Sequence, residues 1–257
     1  MTSVIAGAGR KIWVLPRRGD TPPLFYRSEK AVKTLSVFVD ESGMYGSEVG
    51  HYAPYYIVTL VLHDQSISIY DSINEFQKKM TQLGRSETVV HAGRLIRREE
   101  EYRDMLLLER KQIFNVIYNF ARTVDVKYHS FMVEKKHVAD DVELSDRLSK
   151  QLSSFLNGNL ETLIKYDKIV VYYDYGQNEL TKLLISSFNT AFKNVEIRKT
   201  QHSYYRLFNA ADMFCTLELL SIKAERNQLS NSEIKFFKSA KMLTKSYLRA
   251  IAAKRFY

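Results

Sequence analysis

Acidic residues stand at the ends of two apolar runs that have the composition of buried strands. Asp40 and Glu41 follow the β-branched and aromatic run at residues 35–39, and Asp174 closes the run KIVVYYD at residues 168–174. Two adjacent carboxylates repel each other and lose hydration unless a positive group lies between them. Ligand sites of open α/β sheets lie beyond the carboxyl ends of the strands. We therefore expect Asp40 and Asp174 to come within bridging distance if their strands are neighbours.

A third acidic residue, Asp212, interrupts an otherwise apolar helical segment directly after Ala210 and Ala211. A lone carboxylate on such a face is costly to bury unless it is paired or bound to a cation. Converging carboxylates are the ligands that Mg²⁺ or Mn²⁺ prefers, and a pair of such ions can activate water for phosphodiester hydrolysis. The sequence thus predicts Asp40, Asp174 and Asp212 as metal ligands, with Glu41 as a fourth ligand or a supporting residue. The alternative is structural, because an Asp at a strand end often forms a turn or caps a helix.

His91 precedes the charged stretch RLIRREEEYR and is the remaining candidate for catalysis. Histidine can orient a phosphate or transfer a proton near pH 7, although a helix cap or an exposed histidine fits the position equally well. Cys215, the single cysteine, lies in an apolar helical segment and is expected in the core. The sequence contains neither a phosphate-binding Gly-rich loop nor paired Cys/His spacing of a zinc site.

The charge of the chain is concentrated at its two ends. Among 257 residues with a net charge of +9, residues 1–33 hold seven Lys/Arg against two Asp/Glu, and residues 223–257 hold nine against two. Basic ends favour a polyanion such as nucleic acid, or an anionic membrane surface, although they also serve solubility alone. No run approaches the roughly 18 apolar residues of a membrane span, and a single cysteine excludes an intrachain disulfide. We expect a cytoplasmic protein that binds nucleic acid, DNA or RNA, and no membrane.

Alternation of strand and helix patterns in the second half of the chain predicts parallel strands joined by crossover helices, and hence an α/β domain. The predicted helices include an insertion after the second strand. The expected strands lie at residues 35–39, 55–63, 124–134, 168–174 and 195–200, and the expected helices at 72–84, 107–122, 142–166, about 180–192 and 205–225.

Three regions are predicted from composition and pattern: a basic N-terminal arm at residues 1–33, an α/β domain at 34–225 and a basic helical segment at 226–257. In the last region, Lys238, Lys241, Lys245 and Arg249 recur at helical spacing opposite apolar residues. A helix that docks by its apolar side would turn these cations toward a phosphate backbone; an ordinary surface helix is the alternative.

Four motifs in sequence order, FVDESG, HAGRL, VYYD and NAADMF, resemble those of the domain-of-unknown-function 3800 family over residues 34–225. The resemblance implies a ribonuclease H-like mixed sheet with helices on both faces. It assigns Asp40 and Glu41 to the family's Asp-Glu-Ser-Gly motif, His91 to its His-Ala motif and Asp212 to its Gln-x-Ala-Asp motif. This sequence has Asn209 where that last motif usually shows Gln.

In ribonuclease H-like enzymes a further acidic ligand comes from the helix after the third strand. Glu143 and Asp146 both lie in that segment, and no motif chooses between them. The expected function is a divalent-metal-dependent nuclease or a related phosphoryl-transfer enzyme. The alternative is a catalytically silent module that binds nucleic acid or a protein partner, and an effector of a defence system or mobile element is compatible with either.

Overall fold

Five strands form one mixed sheet in the order β3-β2-β1-β4-β5. The computed structural model describes residues 32–46, 54–86, 89–174 and 176–257, so residues 1–31 of the predicted basic arm lie outside the described residues. β2 runs antiparallel to both β1 and β3, whereas β1, β4 and β5 are parallel. The strands are β1 Thr34–Ser42, β2 Tyr55–Asp64, β3 Lys127–Glu134, β4 Lys168–Tyr173 and β5 Val195–Lys199. This order and these directions confirm the predicted ribonuclease H-like sheet.

Both faces of the sheet are covered by helices, because the central strands are apolar on both sides. Along β1, Leu35, Val37 and Val39 pack into one core, while Phe38 packs into the other. The helices are α1 Tyr70–Gln82, α2 Ala92–Arg97, α3 Leu107–Thr123, α4 Asp141–Gly158, α5 Leu160–Leu163, α6 Asn178–Ala191, α7 Leu207–Glu225, α8 Asn231–Phe237, α9 Ala240–Leu243 and α10 Arg249–Ala252. α1, α2 and α3 form the predicted helical insertion after the second strand.

The two cores contain different helices. The face that includes Phe38 and Tyr172 packs against α1, α2, α3, α7 and the C-terminal helices, and the opposite face packs against α4, α5 and α6. Side chains alternate between faces along a strand. The position of a residue in β1 or β4 therefore decides which of the two helical layers its side chain meets.

Two predicted elements differ from the structure at their ends. β3 begins at Lys127, three residues later than predicted, because Val124 and Val126 belong to the turn that follows α3. The predicted helix at 142–166 ends at Gly158, and a short helix, α5, follows. Gly158 and Asn159 have low helix propensity, which favours the break at this point.

The predicted C-terminal helix is wrong as a single element. α8 is followed by Lys238, whose φ of 69° is left-handed, and the Ser239 hydroxyl accepts a hydrogen bond from the Met242 amide at the start of α9. A π-helical turn at Thr244–Leu248 then joins α9 to α10. Leu243 and Ile251 are buried in the core shared with α3 and α7.

The cations of this C-terminal segment nevertheless face outward, as expected: Lys238, Lys241, Lys245 and Arg249 are all exposed. The end of the chain joins the sheet edge, since the Phe256 amide donates to the Tyr128 carbonyl at 2.7 Å and the Tyr128 amide to the Lys254 carbonyl at 2.9 Å. No helix in the described part of the chain combines the length and apolar character that a membrane span requires.

Candidate active site

Asp40 and Asp174 occupy equivalent positions on the neighbouring parallel strands β1 and β4. The last pair in the β1–β4 ladder is Val39 with Tyr173, so the next residue on each strand is one of these two carboxylates. β1 continues to Ser42 by pairing with β2, and Asp40 therefore lies inside the strand rather than at its end. Both carboxylates follow Phe38 and Tyr172 by two positions and so lie on the face that α7 covers.

α7 brings Asp212 to the same place. The residues before it, Ala210 and Ala211, are completely buried, and their small size lets the helix lie close to the sheet. Asp212 itself is only 7% exposed. Its carboxylate accepts a hydrogen bond from the Ala92 amide at 2.7 Å, and its other oxygen lies 3.6 Å from Nδ1 of His91.

The electrostatics of Asp40 show that these acids interact. Burial raises the pKa of Asp40 well above its ordinary value, and repulsion from Asp212, Glu41 and Asp174 raises it further. Across the described ranges of the chain, no three His, Cys, Asp or Glu side chains form a group that could hold a metal ion as they are placed. The acids thus share a charged environment without forming a closed set of ligands.

Glu41 was expected as a fourth ligand or as a supporting residue. Neighbouring residues of a strand point to opposite faces, so its side chain leaves β1 on the face opposite to that of Asp40. Its carboxylate accepts a hydrogen bond from the Tyr173 hydroxyl at 2.9 Å, and the Gln177 amide donates to that hydroxyl at 2.8 Å. Burial raises the pKa of Glu41 to about 7, with repulsion from Asp174 adding to the effect. The carboxylate still lines the same cleft as Asp40.

Gly43 makes the turn after Glu41 possible. Its φ is +100°, and a Cβ at this position would lie 2.6 Å from the Tyr55 carbonyl oxygen. A side chain is therefore excluded by conformation and by contact. The glycine of the predicted Asp-Glu-Ser-Gly motif lets the chain turn sharply beside the carboxylates.

His91 lies directly before α2 and faces Asp212, which raises the pKa of the imidazole by hydrogen bonding. A second histidine, His202, was not predicted. It is 6% exposed, its ring centroid lies 5.6 Å from that of His91, and its Nδ1 lies 4.0 Å from Asp174 Oδ2. Burial lowers the pKa of His202, and among the described atoms its Nε2 has no hydrogen-bond partner.

The sequence did contain a signal for His202. It follows the end of β5, and the carboxyl ends of β1, β4 and β5 share one edge because these strands are parallel. The rule that selected Asp40 and Asp174 applies to the third parallel strand as well. β5 is among the predicted strands, at residues 195–200, but the prediction considers only acidic residues at strand ends and so passes over this histidine.

All five predicted residues, Asp40, Glu41, His91, Asp174 and Asp212, line one cleft of about 530 Å³. Arg94 and Arg97 of α2 line it as well, and sequence reasoning did not single them out. The acids left open on α4 do not: Glu143 pairs with Arg147 at 2.5 Å and Asp146 pairs with Lys150 at 2.6 Å, and neither lines the cleft.

Comparison with known proteins gives little information beyond the fold that the strand order already shows. No family model matches the chain, so the resemblance to the domain-of-unknown-function 3800 family stays a prediction. No curated protein matches it either. Two solved structures are similar: a complex of PCNA with RNase HII from Archaeoglobus fulgidus (12% identity, 77% of this chain and 81% of that chain, TM-score 0.39) and ribonuclease H2 from Pyrococcus horikoshii (12%, 82% and 98%, TM-score 0.32). At this identity and overlap the likeness assigns no activity to this chain.

Proposed function

We propose that this protein is a divalent-cation-dependent nuclease that hydrolyses phosphodiester bonds of nucleic acid. One observation carries the proposal: Asp40, Asp174 and Asp212 line one open cleft at the carboxyl edge of the parallel strands, and Asp40 is repelled by both of the others. A protein that used these residues only for turns or caps would gain nothing from placing their charges together.

A hard divalent cation suits this donor set, because carboxylate oxygens are its preferred ligands and its charge would offset the repulsion that raises the pKa of Asp40. Asp40, Asp174 and Asp212 do not form a ligand group as they are placed, so their side chains would have to close around the ion to hold it. Glu41 would support them from the opposite face through Tyr173. When bound, such a cation polarises a phosphoryl oxygen and lowers the pKa of a water molecule.

The histidines contribute at the same edge. Asp212 holds His91 through Nδ1 and raises its pKa, so the imidazole keeps its proton closer to neutral pH. The remaining nitrogen, Nε2, can then donate to a phosphate oxygen in the cleft. Burial lowers the pKa of His202 and so disfavours its charged form, and the side chain lines the cleft beside Asp174.

Nucleic acid, rather than a small phosphodiester, is supported by charge outside the cleft. The exposed cations of the C-terminal segment, Lys238, Lys241, Lys245 and Arg249, would track successive phosphates. The excess of basic residues at 1–33 would act in the same way.

The test is cleavage of labelled single- and double-stranded DNA and RNA with Mg²⁺ or Mn²⁺ against EDTA. Asp40→Asn, Asp174→Asn and Asp212→Asn should each lower the rate by about 10²-fold or more, the scale of losing one well-placed electrostatic group. Asp146→Asn is the matched control, because it makes the same change on the exposed side of α4. Binding of the panel without cation-dependent cleavage would instead favour a catalytically silent binding module.

A further inference from the structure

The two arginines that line the cleft are already paired with carboxylates of their own chain. Arg94 Nη1 lies 2.6 Å from Glu100 Oε2. Arg97 binds Glu99 with two parallel hydrogen bonds, from Nε at 2.8 Å and from Nη2 at 2.9 Å. The arginines are three residues apart in α2, so they share the side of the helix that faces the cleft.

The bidentate pair on Arg97 has the geometry with which a guanidinium binds a phosphate, two parallel N–H groups on two oxygens of one anion. Gly93 makes room for it. A Cβ at Gly93 would lie 3.1 Å from Nη1 and 3.4 Å from Nη2 of Arg97, so the guanidinium rests directly over the glycine at the mouth of the cleft. Arg97 also interacts with the negative charge of Asp212.

An unusual backbone brings the glutamates to the arginines. Arg98 ends α2 in the left-handed region, with φ 65° and ψ 48°, and Glu100 has a φ of 48°. Non-glycine residues seldom adopt such angles, and local strain of this kind persists where function requires the geometry. The turn reverses the chain within two residues and directs Glu99 and Glu100 back to the preceding helix.

All four side chains remain accessible. Arg94 is 42% exposed and Arg97 34%, against 57% for Glu100 and 46% for Glu99. Exposed ion pairs contribute little to stability, so a stronger or more numerous set of anions in the cleft could replace the glutamates at low cost. A phosphodiester backbone provides such a set.

We propose that Arg94 and Arg97 bind backbone phosphates of the substrate beside the acidic centre, and that Glu99 and Glu100 are internal competitors that occupy the arginines until a substrate displaces them. The inference rests on the proposed function and adds a regulatory element to the same cleft. Weak or isolated anions fail to displace the glutamates, whereas a polyanion held at several points succeeds. The turn that carries Glu99 and Glu100, the acidic turn, thereby raises the affinity that an anion needs in order to bind the arginines.

The test compares Glu99→Gln/Glu100→Gln with Glu75→Gln/Glu161→Gln, a control that removes two exposed charges from other helices. Affinity for fluorescein-labelled DNA and RNA is measured in EDTA, together with affinity for inorganic tripolyphosphate by calorimetry. The Glu99→Gln/Glu100→Gln variant, the acidic-turn variant, should bind about three- to twentyfold more tightly than wild type, which corresponds to the summed free energies of two exposed ion pairs. The control should bind as wild type does. Its slope of log affinity against log salt should steepen by about 0.7–0.9 for each additional phosphate that the released arginines neutralise.

A second variant separates specific competition from a general change of charge. Adding Arg94→Gln and Arg97→Gln to the acidic-turn variant should abolish the gain, because the released cations are the ones that bind. Unchanged or weaker binding after Glu99→Gln/Glu100→Gln, in a protein that still cleaves, would overturn competition and leave the nuclease proposal intact. Tighter tripolyphosphate binding without any nucleic-acid binding would support the arginine site and overturn the nuclease, and no binding of any probe would overturn both.

Discussion

α7 carries two shielded carboxylates, Asp212 and Glu218, whose surroundings are opposite. Glu218 accepts a forked pair of hydrogen bonds from Arg255, both at 2.9 Å, and a third from the Tyr128 hydroxyl at 2.6 Å. Asp212 shares its space with Asp40 instead, and its partners are the Ala92 amide and His91. Their side chains are similarly shielded, 10% and 13% exposed, so burial does not separate them.

The difference lies in charge compensation. Glu218 has a guanidinium that neutralises it and ties the end of the chain to the sheet edge, and this is what a structural carboxylate requires. Asp212 lies among like charges at the carboxyl edge of the parallel strands, an arrangement that costs stability unless a cation is supplied. On the proposed function, these two acids of one helix therefore have different roles: Glu218, which is fully paired, is structural, and Asp212, which lies among like charges, binds the cation.

The largest expected effect sets these two residues against each other. Asp212→Asn should lower cation-dependent cleavage by about 10²-fold or more while keeping the hydrogen bond from Ala92, so its melting temperature should hold. Glu218→Gln should leave cleavage unchanged but cost about 1–2 kcal/mol of stability, roughly 2–8 °C in melting temperature. Cleavage assays and thermal melts on both proteins measure whether one variant loses cleavage and the other loses stability. Equal loss of cleavage in a folded Glu218→Gln protein would remove the distinction between the two acids.

A second prediction uses the cation itself. If Mg²⁺ or Mn²⁺ binds the native state, a concentration 100-fold above the dissociation constant should add about 2.7 kcal/mol, roughly 5–10 °C in melting temperature. Asp40→Asn should lose that gain, and because it relieves repulsion it should melt no lower than wild type in EDTA. Glu218→Gln keeps the cation-induced shift, since its carboxylate lies outside the cleft. A full shift in Asp40→Asn would place the cation elsewhere.

The pH dependence of stability extends the comparison to Glu41. Its pKa rises from 4.5 to about 7 on folding, so between these values the native state binds the proton more tightly than the unfolded chain. Stability in EDTA therefore falls as the pH rises through this window, and Asp40 adds to the fall in the same direction. Glu41→Gln should reduce the loss of melting temperature between pH 5 and pH 8 by a few degrees, about 1 kcal/mol or more. Exposed Glu161→Gln is the control, and an identical pH profile for Glu41→Gln would contradict the burial of that carboxylate.

The sequence predicts the position of a site residue well where that position follows from the residues next to it in the chain. Residue alternation and the rule of carboxyl ends place Asp40 and Asp174 together, and the cost of burying Asp212 marks its helix. The same alternation of side chains along β1 also predicts that Glu41 and Asp40 point to opposite faces of the sheet. The pairing of Arg97 with Glu99 depends on a left-handed residue, Arg98, whose conformation no motif indicates.

The C-terminal segment shows the same limit. The spacing of its cations correctly predicts that they are exposed, since period and burial are local properties. It does not predict the left-handed Lys238, because the break serves distant contacts: Phe236, Leu243 and Ile251 all enter the core shared with α3 and α7. Burying these three side chains in one core outweighs the local preference for a single continuous helix.

The smallest predicted effect is the contribution of the C-terminal cations to nucleic-acid binding, and the packing of their segment decides how it must be measured. Deleting the segment would remove core residues, so the cations are changed alone. Lys241→Gln/Lys245→Gln/Arg249→Gln should weaken binding to DNA and RNA of any sequence alike, and the slope of log affinity against log salt should fall by about 0.7–0.9 for each phosphate that is no longer neutralised. Fluorescence anisotropy in EDTA over a range of salt concentrations gives the slope.

The matched control also removes three exposed cations, but on the other face of the sheet: Lys182→Gln in α6, and Lys165→Gln and Lys193→Gln in the turns that follow α5 and α6. Both triple variants lower the net charge by three, so a long-range effect of charge alone would weaken binding equally in the two proteins. Direct contact with the polyanion would lower the slope only in the C-terminal variant, because counterions are released where phosphates are neutralised. Equal slopes in the two variants would assign the C-terminal cations to solubility and confine recognition to the cleft with its arginines.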